Sequence, residues 1–251
     1  GDGTEWAPRN DSKKKVGEMV TLRWALSQSN NWISAYLIRE YSPQSLVKLM
    51  HSFGIKSKLD PVISLCLGPV EVSVSEMVDA YTTFVNKGIK VDPLYVTRIE
   101  DNKGNVISSF TPQYTEIISE ETSHKMLEML KAVINEGTGV RLRYRYQFKG
   151  DIGGKTGTTQ NNSDGWFIGV TPELVSGTWV GGEDRSIHFD NLREGQGASM
   201  ALPVWALYMQ KVYADETLGY SDTLKFDIPE HLQKEYKECV SNEVVEDLLF
   251  N

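Results

Sequence analysis

The sequence predicts an α+β fold in which helices come first, an antiparallel sheet follows, and a long helix comes last. Apolar residues recur at helical spacing before Gly88, which indicates amphipathic helices. From Tyr95 the apolar period changes to two, as is typical of half-buried strands. Residues 200–212 return to the pattern of a helix.

Capping residues predict where the first helices begin. Ser42 followed by Pro43 begins a helix, because Ser caps exposed N–H groups and Pro suits the first helical position. Ser73 and Glu76 have the spacing of a capping box and begin another. Apolar residues at helical spacing are Leu22, Ala25, Leu26, Leu46, Leu49, Met50 and Phe53, and the stripe Met77, Ala80, Tyr81 and Phe84 is expected to face the core.

A hairpin, a helix and three strands follow. Residues 96–99 and 106–110 flank a turn at 101–105 that contains Asp, Asn and Gly. Residues 120–135 predict an amphipathic helix with an apolar face. That face is Met126, Leu127, Leu130, Val133 and Ile134, and the remaining strands are predicted at about 152–159, 166–170 and 175–181.

The composition is that of a folded, acidic protein. Of 251 residues, 40% are hydrophobic and 24% charged, which excludes a disordered tail or a disulfide-dense toxin. The net charge of −8 argues against general nucleic-acid binding, and ten of the acids fall within 215–251. The sequence contains no cluster typical of a metal site and no cofactor motif. Cys66 and Cys239 are expected to be unpaired thiols, and no run of 18 apolar residues predicts a membrane span.

The segment Lys155-Thr156-Gly157-Thr158 carries the clearest chemical signal. It lies on a predicted strand, where the two threonine hydroxyls share one side and the lysine supplies a fixed cation. Gly157 has no side chain, so a ligand backbone can approach it closely. The segment is therefore suited to hold a carboxylate and to pair with an extended peptide. K-T-G is also a motif of active-site serine enzymes that react with penicillins.

A second motif, Ser29-Asn30-Asn31, lies between two predicted helical stretches. Ser and Asn are common in caps and turns, so the S-x-N pattern by itself favours helix capping over a catalytic role.

The surrounding sequence resembles the class A penicillin-binding proteins, which are bifunctional peptidoglycan synthases. The resemblance covers about 6–212 in unbroken order, which makes it far more specific than either motif alone. Its blocks are residues 20–31, 65–68, 72–81, 136–139, 153–169, 201–205 and 208–209.

The resemblance implies a transpeptidase domain of the penicillin-binding, serine β-lactamase-like fold, with a mostly helical subdomain beside the sheet. In such enzymes a serine attacks the D-Ala-D-Ala end of one peptidoglycan stem peptide and D-Ala leaves. An amine of a neighbouring stem then attacks the acyl-enzyme. β-Lactams acylate the same serine. The implied partners are stem peptides, β-lactams and other cell-wall synthesis proteins.

The family's roles are carried over by position. Ser29 is expected to relay a proton to the leaving-group nitrogen, and Asn31 to bind the donor peptide and orient a lysine near the nucleophile. Lys155 is expected to supply positive potential that favours a bound carboxylate. The backbone N–H of Thr158 is expected to be one oxyanion-hole donor. The implied substrate-binding residues are Thr156, Gly157 and Thr158.

The family's nucleophile belongs to an S-x-x-K motif well upstream of S-x-N, and only 28 residues precede Ser29. Two segments match the pattern by chance. Residues 12–15 are highly charged and loop-like, whereas the motif needs a helix start in a partly buried site. Residues 45–48 follow S-x-N and belong to a packing helix. The sequence therefore predicts a fragment without the nucleophile, inactive by itself.

Further expectations follow from the resemblance. Residues 1–212 are expected to be a partial transpeptidase domain and 213–251 an acidic C-terminal extension. The whole protein is expected at the cell membrane, held by an upstream anchor, with this domain on the periplasmic or cell-wall side. Two alternative functions remain open: a D,D-carboxypeptidase, in which water replaces the acceptor amine, and a non-catalytic interaction module.

Overall fold

The computed structural model describes residues 7–10 and 14–232. Their architecture is α+β, with a helical region beside a three-stranded antiparallel sheet, which confirms the predicted fold class. Within these ranges no helix combines the length and apolar character needed to cross a membrane.

The helical region is formed by short helices whose starts are capped by side chains. The helices are α1 (Leu22–Ser27), α2 (Asn31–Tyr41), α3 (Pro43–Ser52) and α4 (Val74–Val85), with a 3₁₀ helix at Ile63–Leu67. The predicted starts at Ser42 and Ser73 are confirmed, since each serine side chain accepts a backbone N–H three residues on. Ile38, Phe53, Leu65 and Ala80 meet in the core of this region.

The strands form three small sheets rather than one. The sheet beside the cleft has the order β5 (Gly153–Thr158), β6 (Asp164–Val170) and β7 (Val175–Gly181), close to the predicted strands. The predicted hairpin pairs β2 (Arg98–Glu100) with β3 (Val106–Ser109) as a separate ribbon. A further pair, β1 (Ile89–Val91) with β4 (Tyr114–Glu116), was not predicted, because strands of three residues are too short to show a period.

Helices cover both faces of the β5–β7 sheet. α5 (Glu120–Asn135) has the predicted bounds, and α8 (Gly197–Ala214) extends beyond the predicted 200–212. α8 packs on one face, where the fully buried Trp205 lies edge-on to Phe167 with ring centroids 5.2 Å apart. α4 and α5 pack on the other face. Two short helices, α6 (Arg141–Tyr144) and α7 (Leu192–Gly195), and a second 3₁₀ helix at Glu216–Leu218 complete the element order.

The chain after α8 runs back over the body of the protein. Phe226 is buried with Leu127 of α5 and Val170 of β6, and its N–H donates to Asp151. The domain boundary at 212 remains a prediction. Cys66 is a free thiol, whereas Cys239 and the rest of 233–251 lie outside the described residues.

Glu76 joins the start of α4 to a neighbouring loop. Its carboxylate accepts the Ser73 N–H at 2.9 Å, which completes the predicted capping box, and also the Lys56 and Ser57 N–H groups at 2.7 and 2.8 Å. Hydrogen bonds from the Ser73 backbone, and then from Ser57 and Lys56, lower the pKa of Glu76 to about 2.

We expect Glu76→Gln to destabilise the fold by about 2 kcal/mol at pH 7, because one oxygen that accepts N–H groups becomes an NH₂ donor. The folded pKa lies below the unfolded one, so this stabilisation is complete above about pH 4.5 and declines as the pH falls toward 2. In urea unfolding, the difference in the free energy of unfolding between wild type and Glu76→Gln should be smaller at pH 3 than at pH 7. Glu116→Gln, on the exposed strand β4, is the control; an equal advantage at both pH values would contradict this assignment.

Candidate active site

A cleft of about 800 Å³ lies between the helical region and the edge of β5. All six sequence-predicted site residues line it, although Ser29 and Lys155 are 126 positions apart in the chain. The six are Ser29, Asn31, Lys155, Thr156, Gly157 and Thr158. The cleft therefore brings the S-x-N and K-T-G segments together.

Ser29 lies in a tight turn that ends α1. Its φ is +53°, in the left-handed region that favours glycine. The Ser29 N–H donates to Leu26 O at 3.0 Å and the Asn30 N–H to Ala25 O at 2.9 Å, which is a Schellman ending with serine in the glycine position. Strained residues of this kind cluster at functional sites. The turn aims the Ser29 side chain across the cleft.

Lys155 completes a direct contact across the cleft. Its Nζ donates to Ser29 Oγ and to the Thr156 carbonyl, both at 2.8 Å. Burial in the cleft lowers the pKa of Lys155 to about 8, because desolvation disfavours the charged amine. The amine is therefore still mainly cationic at neutral pH, but it loses its charge in a range where an exposed lysine stays charged.

The open edge of β5 faces the cleft. Strand order places β5 at one side of its sheet. The Thr159 N–H donates inward to Asp164 O, so by backbone alternation the N–H and C=O groups of Thr156 and Thr158 point outward. The Thr156 carbonyl that accepts from Lys155 lies on this outward side. An extended ligand can therefore pair with the edge.

The two threonine hydroxyls are held by different neighbours. Thr156 Oγ1 lies 2.7 Å from Thr138 Oγ1, and Thr158 Oγ1 accepts the Gly197 N–H at 3.0 Å. At Gly157 an added Cβ would lie 3.0 Å from the Trp166 side chain, so this glycine makes room within the sheet. That it also admits a ligand backbone remains a prediction.

Asn31 is bound to the segment 7–10. Its side-chain amide donates to the Arg9 carbonyl at 2.6 Å, and its backbone N–H donates to Asn10 Oδ1 at 2.7 Å. The neighbouring Trp32 Nε1 donates to the Pro8 carbonyl at 2.8 Å. These bonds hold the segment as one lip of the cleft.

The cleft is cationic, although the chain carries a net negative charge. Among the described residues that line it, the charged side chains are Arg9 and Lys155. Both are basic, so the cleft favours an anionic ligand.

Sequence reasoning missed several lining residues. Thr138 belongs to a block that showed a family resemblance, but its contact with Thr156 is tertiary and leaves no local pattern. Met126 was predicted to face the core and instead lines the cleft. Ser45 lies on α3, where its hydroxyl contacts Ser42, and it does not line the cleft. The other chance match includes Ser12 and Lys13, which lie outside the described residues.

The sequence is similar to known penicillin-binding proteins over most of its length. A family model described as the penicillin binding protein transpeptidase domain matches residues 1–180. The chain is 33% identical over 210 residues to penicillin-binding protein 1A of Aquifex aeolicus, across 84% of this chain and 28% of that protein. It is 28% identical over 255 residues to penicillin-binding protein 1A of Rickettsia conorii, across 91% of this chain and 30% of that protein.

Solved structures show the same fold. The crystal structure of penicillin-binding protein 1A from Haemophilus influenzae superposes with a TM-score of 0.76 at 24% identity, across 92% of this chain and 39% of that one. The PonA1 protein of Mycobacterium tuberculosis in complex with penicillin V gives a TM-score of 0.64 at 21% identity, across 85% and 61%. The chain thus spans less than a third of the length of the two curated relatives.

Two substitutions at Ser29 distinguish the effect of its backbone conformation on stability from the effect of its hydroxyl. Both Ser29→Gly and Ser29→Ala remove the Lys155 contact, but only glycine adopts the positive φ without strain. We expect Ser29→Gly to be more stable than Ser29→Ala by about 1 kcal/mol in urea unfolding. Equal stabilities would contradict the left-handed turn.

The lowered pKa of Lys155 makes stability depend on pH in a defined window. Below about pH 8 both folded and unfolded states bind the proton, whereas between about 8 and 10.5 the unfolded state binds more. Stability should therefore rise with pH across that window, and Lys155→Met should remove the rise. Unfolding at pH 8 and pH 10 measures it, with the exposed Lys103→Met as control. If stability still rises with pH in Lys155→Met, the rise does not come from the lowered pKa of Lys155.

Proposed function

The chain belongs to the penicillin-binding protein transpeptidase family, and from this membership we propose that its cleft forms part of a peptidoglycan D,D-transpeptidase active site. The observation that carries the proposal is the 2.8 Å contact between Lys155 Nζ and Ser29 Oγ beside the open edge of β5. The reaction is serine-type acyl transfer. A serine oxygen bonds to the carbonyl carbon of the penultimate D-Ala, the terminal D-Ala leaves, and an acceptor amine displaces the serine.

The Lys155–Ser29 contact suits Ser29 to a proton relay. A lysine ammonium has only donors, so the Ser29 oxygen accepts from it and the serine proton must point elsewhere. Directed into the cleft, that proton can reach the leaving-group nitrogen. Lys155 also holds positive potential where a substrate carboxylate binds.

The edge of β5 suits donor-peptide binding. The outward direction of the Thr158 N–H supports a role as one of two oxyanion-hole donors to the carbonyl oxygen on which charge develops. Thr156 and Thr158 line the cleft together with Lys155, and we propose that their hydroxyls hold the terminal carboxylate. Gly157 between them keeps the strand close to the ligand.

The remaining parts of the proposed active site are Asn31 and the attacking serine. Asn31 lines the cleft while its amide donates to the Arg9 carbonyl. We propose that in the complete site this amide binds the donor peptide and orients a lysine from the nucleophile motif. We propose that the attacking serine is not one of the serines of this chain, so that this chain alone forms no acyl-enzyme.

The activity and surroundings of the whole protein are part of the same proposal, because the chain spans 28% of the Aquifex relative. Stem peptides and β-lactams are the proposed ligands, and cell-wall synthesis proteins the proposed partners. The proposed location is the periplasmic or cell-wall face of the cell membrane, reached through an anchor elsewhere in the protein.

One observation favours a second candidate. Among the described residues no S-x-x-K serine lines the cleft, which is also what a non-catalytic peptide-binding module would show. Partner binding that survives Lys155→Met would favour this module. A D,D-carboxypeptidase would differ by releasing product without an acceptor amine.

The test is intact mass spectrometry after incubation with benzylpenicillin, for this chain and for the full-length gene product. We expect an adduct on the full-length protein only. Lys155→Met in that protein should slow acylation on the order of 100-fold, as loss of one preorganised charge does, while Lys103→Met should not.

Each other outcome has a defined meaning. An adduct on this chain would show that it contains a nucleophile, and Ser12→Ala and Ser45→Ala would then be the first variants to test. The absence of an adduct on either protein would reject the transpeptidase and leave the non-catalytic module.

A further inference from the structure

The loop 136–139 lies between α1 and β5, the two elements that carry Ser29 and Lys155. On the α1 side it makes three polar contacts. The Arg23 guanidinium pairs with the Glu136 carboxylate, Gln28 Nε2 donates to the Glu136 carbonyl at 3.2 Å, and the Thr138 N–H donates to the Ser27 carbonyl at 3.0 Å. The loop and the end of α1 are therefore held as one unit.

The backbone contact between this loop and α1 depends on Gly137. A Cβ built on Gly137 would lie 2.2 Å from the Ser27 carbonyl oxygen, a separation that real Cβ atoms do not reach. Ser27 is 1% exposed and is two residues before Ser29, so the loop contacts α1 directly beside the turn that presents the Ser29 hydroxyl.

Thr138 alone in this loop makes a hydrogen bond that reaches β5, among the described residues. Its Oγ1 lies 2.7 Å from Thr156 Oγ1, and Thr156 is 9% exposed and adjacent to Lys155. One residue thus binds both sides of the cleft, through its N–H to Ser27 and through its hydroxyl to Thr156.

The direction of the bond between the two hydroxyls has a chemical consequence. Each threonine hydroxyl has one proton and two acceptor positions. If Thr156 donated to Thr138, its proton could not reach a ligand. If Thr138 donates, the Thr156 proton is free, and an anion beside Lys155 selects this arrangement.

We infer that Thr138 is a positioning residue for the proposed reaction: it holds the Ser29 turn against β5 and directs the Thr156 proton toward the substrate carboxylate. The inference rests on the proposed function for its ligand, but its effect on the cleft can be measured without turnover. Thr138 acts through Ser27 and Thr156 and need not touch the reacting atoms.

The variants are Thr138→Val, which keeps the shape and the N–H but removes the hydroxyl, and Thr138→Ser, which keeps the hydroxyl. Thr115→Val, on the exposed strand β4, is the matched control. The first readout is NMR titration of the Lys155 side chain in the full chain. We expect Thr138→Val to raise the pKa of Lys155 toward 10.5 as water enters the loosened cleft, and Thr138→Ser to keep it near 8.

The second readout is non-covalent binding of an acetylated dipeptide ending in D-Ala-D-Ala, compared with its C-terminal amide. Wild type and Thr138→Ser should prefer the carboxylate form. In Thr138→Val that preference should fall about tenfold, the loss expected for one hydrogen bond to a charged group.

The outcomes distinguish this inference from the proposed function. If neither peptide binds wild type, the proposed ligand is wrong and the lysine titration still decides the role of Thr138. The inference is overturned if Lys155 titrates in Thr138→Val as it does in wild type. It is also overturned if Lys155 in Thr138→Ser does not titrate as in wild type. If Thr138→Val does not fold, Thr156→Val removes the same bond from the other side, and an unchanged Lys155 titration there would overturn it equally.

Discussion

The hydrogen bond from the Lys155 ammonium to the Ser29 hydroxyl joins the two sides of the cleft. A charged donor meets a hydroxyl from an element 126 positions away, so both backbones must be fixed independently. The strand is fixed by its ladder with β6, and the serine by a left-handed turn at the end of α1. The loop 136–139 then joins the two. Partial burial of the contact lowers the pKa of the lysine, and so ties the charge of the cleft to its geometry.

Much of the fold was predictable because its signals are local. Ser42, Ser73 and the bounds of α5 follow from capping chemistry and helical period. The pairing of β1 with β4 was not predictable, since three-residue strands show no period. The hairpin was found, but whether it joined the larger sheet or stood apart depends on tertiary packing, which the alternation of 96–110 does not encode.

The site residues that could be predicted are those that belong to contiguous sequence motifs. Lys155 and Ser29 were identified from K-T-G and S-x-N together with the family resemblance, and the structure places them in contact. Thr138 was not identified as part of the site, because its bond to Thr156 crosses between elements. The attachment of Asn31 to Arg9 was missed for the same reason. Residues that belong to contiguous motifs can be found in the sequence, whereas residues that connect distant motifs are found only in three dimensions.

The open edge of β5 has a consequence for the behaviour of the protein in solution. Unpaired N–H and C=O groups on an edge strand are a template for another chain, and natural sheets often guard such edges with a lysine. Lys155 is placed to do this, but its amine loses its charge near pH 8, well before an ordinary lysine would. The protection against self-association therefore declines as the pH rises through about 8, a range in which an ordinary lysine keeps its charge.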